Sequence, residues 1–224
     1  MKKRKAFIGA ILSLISLGQP LLIKTGVALS TVGLMIAVPE KVNAETFKFY
    51  FNRAVENGKR GDYYEAISDY TKAIEINPNI GDVYFNRGWT KQKLKDYYGA
   101  ISDYNKAIDI NPKDLDAYIN RGVSKRNLKD YYGAIADYTK VIEIDPNNDD
   151  AYYNRGISKE KLKDYYGAIA DYTKAIEIRP ASDAYLNRGL IKETIGDPKG
   201  ACADWRKSSS LGLEDAANWV RDQC

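Results

Sequence analysis

Residues 81–114 read GDVYFNRGWTKQKLKDYYGAISDYNKAIDINPKD, and similar copies of this segment lie before and after it. The triplet Asn-Arg-Gly recurs at residues 86–88, 120–122, 154–156 and 187–189, with a degenerate copy, Asn-Arg-Ala, at 52–54. Self-similarity at a fixed period of this length is typical of repeat proteins, in which each unit packs only against its neighbours. The period divides residues 47–214 into five units, at about 47–80, 81–114, 115–148, 149–181 and 182–214.

Each unit is predicted to form a pair of helices. In the second unit, Tyr84, Gly88 and Lys91 recur at the spacing of one helix face. Asp96 stands where a carboxylate can cap the following helix by accepting hydrogen bonds from its free amides, and its equivalents in the other units are Asp62, Asp130, Asp164 and Asp197. That second helix ends before Pro112, because a proline disfavours helical geometry in the residue that precedes it. The sequence therefore predicts an all-α fold built from helix-turn-helix units.

The pattern of these positions resembles the tetratricopeptide repeat (TPR) family. Its signature residues in the second unit are Tyr84, Gly88, Ala100, Tyr104, Ala107 and Pro112, and the third and fourth units carry equivalents of all six. The resemblance implies a right-handed solenoid of five TPR units over 47–214, followed by a capping helix in 214–224. Together with the N-terminal segment, the style of the units is similar to secreted or lumenal TPR proteins of cyanobacteria.

One departure from the family pattern is an arginine where the family usually has leucine. An aspartate follows each arginine sixteen residues later, and the pairs are Arg53 and Asp69, Arg87 and Asp103, Arg121 and Asp137, Arg155 and Asp171, and Arg188 and Asp204. In an antiparallel helix pair these two positions can face each other, and a planar guanidinium suits a partly buried carboxylate. We therefore expect a structural salt bridge within every unit.

Residues 1–44 have the composition of a targeting segment. They hold six basic residues and one acidic residue, and four of the basic residues lie at 2–5, before two apolar stretches. Two interpretations stay open: a secretory signal peptide cut after Ala44, or an uncleaved membrane anchor through 6–23. Both predict export, either to a periplasm, lumen or extracellular space, or as a membrane-anchored protein whose repeats lie outside the cytoplasm.

The rest of the chain excludes several classes of function. It carries 28 basic and 29 acidic residues, which is not the charge balance of a nucleic-acid-binding protein. Histidine is absent from the sequence, so neither a histidine-dependent nucleophile nor an imidazole-bound metal is expected. We therefore predict that the chain is not an enzyme and needs no metal or cofactor.

The TPR resemblance implies that the sixth residue of each unit faces a concave groove. This residue is asparagine in all five units, namely Asn52, Asn86, Asn120, Asn154 and Asn187. An amide can pair with the C=O and the N–H of a bound peptide backbone at once, whatever the peptide sequence. The row resembles the asparagine ladder in the TPR region of O-GlcNAc transferase. The alternative is that asparagine is simply common at this position.

Apolar residues flank the asparagines on the same predicted helix face. They are Phe85, Trp89, Ile119, Val123, Tyr153, Ile157, Leu186 and Leu190, and an exposed apolar stripe of this kind indicates an interaction surface. The predicted function is that of a scaffold that binds a protein or peptide client and assists the assembly of other proteins. The alternative is a structural self-association module, in which groove residues or repeat ends meet another copy. The sequence leaves the oligomeric state open.

The two cysteines of the chain, Cys202 and Cys224, lie near its C-terminus. Export to an oxidising compartment would favour a disulfide between them. Two free thiols remain the alternative.

Overall fold

Helices alternate with short turns along residues 40–224, the part of the chain that the computed structural model describes. Within this part there are eleven helices and no strand. The predicted signal peptide or anchor falls on residues 1–44, of which 1–39 lie outside the described residues. In chain order the helices are α1 Glu40–Arg60, α2 Tyr63–Ile76, α3 Gly81–Lys93, α4 Tyr97–Ile110, α5 Leu115–Asn127, α6 Tyr131–Ile144, α7 Asp149–Lys161, α8 Tyr165–Ile178, α9 Ser182–Thr194, α10 Pro198–Ser210 and α11 Glu214–Gln223.

Small residues let the two helices of a unit approach closely. A Cβ atom on Gly122 of α5 would lie 2.8 Å from Cε1 of Tyr138 on α6, so only glycine leaves room for the ring. Ala134, on the facing side of α6, is fully buried. Each helix otherwise packs mainly against the next helix along the chain. The predicted all-α solenoid of helix-turn-helix units is confirmed.

The apolar core lies between consecutive units as well as within them. One cluster joins Ala107 and Ile108 of α4, Ala117 and Tyr118 of α5, and Val141 of α6. Because each unit buries part of its apolar surface only against its neighbour, the units stabilise one another in series.

Aspartates cap the second helix in four of the units. The side chains of Asp96, Asp130, Asp164 and Asp197 accept hydrogen bonds from the amides of Gly99, Gly133, Gly167 and Gly200 at 2.9–3.1 Å. A Cβ on Gly133 would lie 2.1 Å from Oδ2 of Asp130, so the carboxylate in this orientation leaves no room for a larger residue at that position.

The first unit departs from this capping pattern. Its Asp62 makes no side-chain cap bond, and Glu65 stands where the other four units have glycine. The Asp62 carboxylate instead accepts from Nε of Arg60 at 3.0 Å. The expected cap is therefore absent from α2.

The five expected arginine–aspartate salt bridges are all present. In the third unit, Arg121 reaches both carboxylate oxygens of Asp137, with Nη2 at 2.6 Å and Nε at 3.0 Å. Lys125, one turn after the arginine, adds its Nζ at 2.8 Å, so each such aspartate holds two cations. The second, fourth and fifth units repeat this triad through Lys91, Lys159 and Lys192.

A further hydrogen bond links each arginine from the second unit onward to the preceding unit. Nη1 of Arg155 donates to Oγ1 of Thr139 on α6 at 3.0 Å, and Nη1 of Arg121 donates to Oδ1 of Asn105 on α4 at 2.6 Å. Arg87 and Arg188 make the same contact with threonines of the units before them. The arginine row thus joins units to one another as well as the two helices of each unit.

The last helix covers the end of the array. The indole of Trp219 on α11 lies 5.1 Å, between ring centroids, from that of Trp205 on α10, and Ala216 is fully buried. Cys202 on α10 and Cys224 at the C-terminus are joined by a disulfide, in agreement with the sequence prediction. The helix and the bridge together close the outer face of the fifth unit, which is the role of a terminal cap in repeat proteins.

Candidate peptide-binding groove

The first helices of the first three units line an open cavity of about 340 Å³. Val55, Gly58 and Lys59 come from α1, and Asp116 and Asn120 come from α5. Between them lie residues of α3, namely Phe85, Asn86, Trp89 and Thr90. The cavity therefore brings together two asparagines and two aromatic residues that the sequence predicted for the groove. We call it the groove below.

Within the groove, each asparagine is fixed by its own helix. Nδ2 of Asn86 donates to the carbonyl oxygen of Asp82 at 2.8 Å, and Nδ2 of Asn120 donates to that of Asp116 at 2.9 Å. Among the described residues, no group donates to Oδ1 of either asparagine. Since an amide has two N–H groups, each side chain keeps one acceptor and one donor for a ligand.

The asparagines beyond the third unit are engaged by neighbouring side chains. Oδ1 of Asn154 accepts from Nη1 of Arg126 at 3.0 Å, and Nδ2 of Asn187 donates to the hydroxyl oxygen of Tyr153 at 3.0 Å. Asn52, in the first unit, is exposed. The five asparagines are therefore not equivalent, a difference that their identical spacing in the sequence does not reveal.

The apolar residues beside the asparagines are mostly recessed. Phe85 packs on Tyr104 with ring centroids 5.8 Å apart, and Tyr153 packs on Tyr172 at 5.7 Å. Ile119 and Ile157 also contact the buried core, and three further residues are half-buried, namely Val123, Leu186 and Leu190. Of the predicted stripe, Trp89 alone is more than a third exposed. Nζ of Lys93 lies 4.7 Å from the centroid of its ring.

A smaller, acidic cavity of about 150 Å³ lies between the fourth and fifth units. Arg179 donates to Asp149 at 2.5 Å and to Asp150 at 2.9 Å across its mouth. The hydrogen bond to Asp149 raises the pKa of the Arg179 guanidinium, so the cation stays charged. Sequence reasoning missed this cluster, because arginine stands at this position only in the fourth unit and no periodic signal marks it.

Buried tyrosines extend from the second helices toward the first. The hydroxyl of Tyr104 donates to Oε1 of Gln92 at 2.8 Å, and that of Tyr172 donates to Oε2 of Glu160 at 3.1 Å. In the third unit the equivalent acceptor position holds Arg126, and the buried hydroxyl of Tyr138 has no hydrogen-bond partner among the described residues. Burial raises the pKa of Tyr138 to about 12.

In residues 40–224, no three His, Cys, Asp or Glu side chains converge in a way that could hold a metal ion. No helix in this part of the chain is long and apolar enough to cross a membrane.

Comparison with known families gives one match, to the tetratricopeptide repeat model. It matches residues 47–80, 81–114, 115–148 and 149–181, which together make up more than half of the chain. Curated protein sequences give no significant match.

Solved structures of several TPR proteins share the fold. The crystal structure of the MamA protein superposes with a TM-score of 0.70 at 24% identity, over 81% of this chain and 97% of that one. YrrB, described as a TPR protein with an unusual peptide-binding site, gives 0.67 at 18% identity, over 81% and 95%. The first TPR of Spaghetti (RPAP3), bound to the HSP90 peptide SRMEEVD, gives 0.51 at 29% identity, over 53% and 94%.

Proposed function

The chain belongs to the tetratricopeptide repeat family, and on that premise we propose that it binds an extended segment of a client protein in the groove of its first three units. The observation that carries the proposal is the pair of asparagines, Asn86 and Asn120, that face one cavity and keep an acceptor and a donor unused. They stand one repeat apart, so they can hold the backbone of one peptide at two points.

The groove also offers contacts for side chains of the client. Trp89 is a large, partly exposed aromatic residue, of the type that dominates binding energy at protein interfaces. Lys59 and Asp116 lie at the rim, where they can select charged side chains of the client. Backbone recognition by asparagine with one aromatic anchor favours a client class defined by an extended conformation rather than by a single motif.

The similar proteins support a role in protein interaction. The YrrB structure is described by a peptide-binding site, and the RPAP3 structure contains an HSP90 peptide. By analogy, we propose that this chain is a non-catalytic scaffold for the assembly of other proteins. We propose no role in nucleic-acid binding, because residues 45–224 carry 28 basic and 29 acidic residues.

We further propose that the repeats work outside the cytoplasm. The basic and apolar leader supports this location, and so does the disulfide between Cys202 and Cys224, because oxidising compartments preserve such bridges. Intact mass of the protein isolated from its source cell tests the leader, since cleavage after Ala44 removes residues 1–44. A mass that includes the leader would instead support the membrane anchor.

The groove is tested by two matched double variants in one binding assay. The first is Asn86→Ala with Asn120→Ala, and the second is Asn154→Ala with Asn187→Ala, two asparagines that do not line the groove. An array of 15-residue peptides from the source proteome supplies a binding peptide, and titration calorimetry compares the variants on it. We expect the first variant to weaken binding by roughly tenfold or more and the second to weaken it much less.

Recognition of the peptide backbone also predicts how modifying the same peptide changes its binding. N-methylation of alternate amides should abolish binding, whereas a scrambled sequence should retain most of it, because the asparagines contact C=O and N–H groups. Equal binding by both double variants, or tolerance of N-methylation, would contradict the proposed groove.

A further inference from the structure

The two edges of the repeat array differ in chemistry. Because the helices alternate in direction, the turns inside the units lie on one edge and the junctions between units lie on the other. The turn edge consists of residues 59–65, 93–99, 127–133 and 161–167. The junction edge consists of residues 75–82, 109–116, 143–150 and 177–183. Both edges therefore repeat with the period of the array.

The turn edge presents one exposed tyrosine per unit. Tyr64, Tyr98, Tyr132 and Tyr166 stand at the same position in the first turn of successive second helices, and each is 75–76% exposed. The tyrosine before each of them is half-buried and packs in the array. These four tyrosines therefore present their rings and hydroxyl groups to solvent along this edge, and they do not pack in the core.

A lysine precedes each of the last three tyrosines by three residues, and its backbone has a conformation that lysine rarely adopts. Lys95, Lys129 and Lys163 have φ of 62–64°, the left-handed region that favours glycine. The equivalent positions of the first and fifth units are Gly61 and Gly196, with φ of 87° and 86°. Among the described residues, no carboxylate pairs with these three lysines. Their side chains therefore extend to solvent at a cost in backbone strain that glycine would avoid.

The junction edge has the opposite charge. It holds eleven acidic residues and two basic ones, Lys113 and Arg179, whereas the turn edge holds five acidic and seven basic. It also carries one exposed proline per unit, Pro78, Pro112, Pro146 and Pro180. A proline ring offers a flat apolar face on which a tyrosine ring can pack.

We propose that the turn edge of one molecule binds the junction edge of a second copy. The two edges are complementary in three ways. The lysines of the turn edge can pair with the carboxylates of the junction edge, and the tyrosines can pack on the prolines or donate to the carboxylates. These residues also repeat with the same spacing on both edges. A second copy shifted along the helix axes therefore presents its acidic edge in register with the lysines of the first. Tyrosine is also among the residues most enriched at the centres of protein interfaces.

This contact joins two different surfaces, so it is heterologous and leaves a free edge on each side of the pair. Further copies can add in the same way. Lys59 and Asp116, at the rim of the groove, fall within the two edges, whereas Asn86, Asn120 and Trp89 lie outside them, so the assembly does not depend on the proposed peptide binding.

Charge reversal on each edge in turn tests the contact. One variant carries Lys95→Glu, Lys129→Glu and Lys163→Glu, and its counterpart carries Asp109→Lys, Glu143→Lys and Glu177→Lys. A control variant changes the net charge by the same amount as the lysine variant but outside the turn edge. It carries Lys48→Glu, Arg206→Glu and Lys207→Glu, at exposed positions of the terminal units. Circular dichroism melts of all three establish that they fold. Sedimentation velocity is run on the full chain, in a mild detergent throughout so that an uncleaved leader stays soluble.

We expect the sedimentation coefficient of the wild type and the control to rise with concentration at about 10 mM salt and to fall to the monomer value at about 1 M. Each edge variant alone should stay monomeric, and an equal mixture of the two should associate. A monomeric wild type, association of the lysine variant, or a mixture that stays monomeric would each overturn the proposal. Association that is lost only in the Asn86 and Asn120 variant would place self-contact in the groove and overturn it too.

Discussion

Asp137 shows, at the scale of one residue, what holds a unit together. Its carboxylate is nearly fully buried, and it is neutralised by a two-point contact from Arg121 and a single contact from Lys125. Removal of the carboxylate leaves two cations without their partner, which costs about 3–5 kcal/mol when an ion pair is buried. We expect Asp137→Ala to lose about this much stability in urea unfolding. A loss as small as that of an exposed pair, such as Lys140 with Glu143, would contradict it.

The contribution of the Arg53–Asp69 ion pair to stability depends on pH, because it requires the carboxyl of Asp69 to be ionised. The hydrogen bond from Arg53 lowers the pKa of this carboxyl, although burial acts in the opposite direction. A depressed folded-state pKa contributes stability above the unfolded value of about 4 and loses it as the pH falls through the folded value. We therefore expect the stability difference between wild type and Asp69→Asn to shrink as urea melts move from neutral pH to below about pH 4. A difference that stays constant with pH would show that Asp69 is not ionised through its pair.

Tyr138 and Tyr104 occupy equivalent positions but differ in one hydrogen bond. Tyr104 donates to Gln92, whereas the buried hydroxyl of Tyr138 has no partner among the described residues. We expect Tyr104→Phe to cost about 1 kcal/mol, and Tyr138→Phe to be neutral or stabilising, because it removes a buried group that is not satisfied. Parallel thermal melts compare the two, and an equal loss in both would contradict the difference.

The capping aspartates give a matched comparison at the scale of the helix. Asp130 accepts from the amide of Gly133 at the start of α6, whereas Asp62 makes no such bond at the start of α2. We expect Asp130→Ala to destabilise the protein by about 1 kcal/mol and Asp62→Ala by clearly less. Urea unfolding measures both. If the two losses were equal, helix-dipole effects rather than the cap bond would explain them.

Much of the fold at this scale could be predicted from the sequence, because the period, the small residues and the prolines act locally and recur in every unit. The arginine–aspartate salt bridges could be predicted because the two residues are sixteen positions apart in every unit. The contacts that escaped prediction occur at single departures from the repeat: the cap at Asp62 is absent in the unit that carries Glu65, Arg126 engages Asn154, and Arg179 draws two aspartates together. Only Arg126 among them alters the asparagine row, because it occupies Oδ1 of Asn154, and a regular pattern cannot indicate a contact made by an irregular residue.

At the scale of the whole molecule, the disulfide between Cys202 and Cys224 ties the last helix to the array. Its loss should free the C-terminal cap and cost about 3 kcal/mol there, whereas units that contact only their neighbours should be little affected. We expect Cys202→Ser with Cys224→Ser to speed hydrogen exchange in α10 and α11 and to leave α3–α6 nearly unchanged. Uniform acceleration along the chain would instead mean that the array unfolds as one cooperative unit.

The hydrogen bond from the arginine of the second and every later unit to the unit before it bears on how such a chain can change length. Every inner unit brings a donor for the unit before it and an acceptor for the unit after it. Duplication of one 34-residue segment therefore inserts a unit whose polar and apolar partners are already present on both sides. Length can thus evolve by whole repeats, without any compensating substitution at the new boundaries, and proteins of this kind with more or fewer units can arise in a single genetic step.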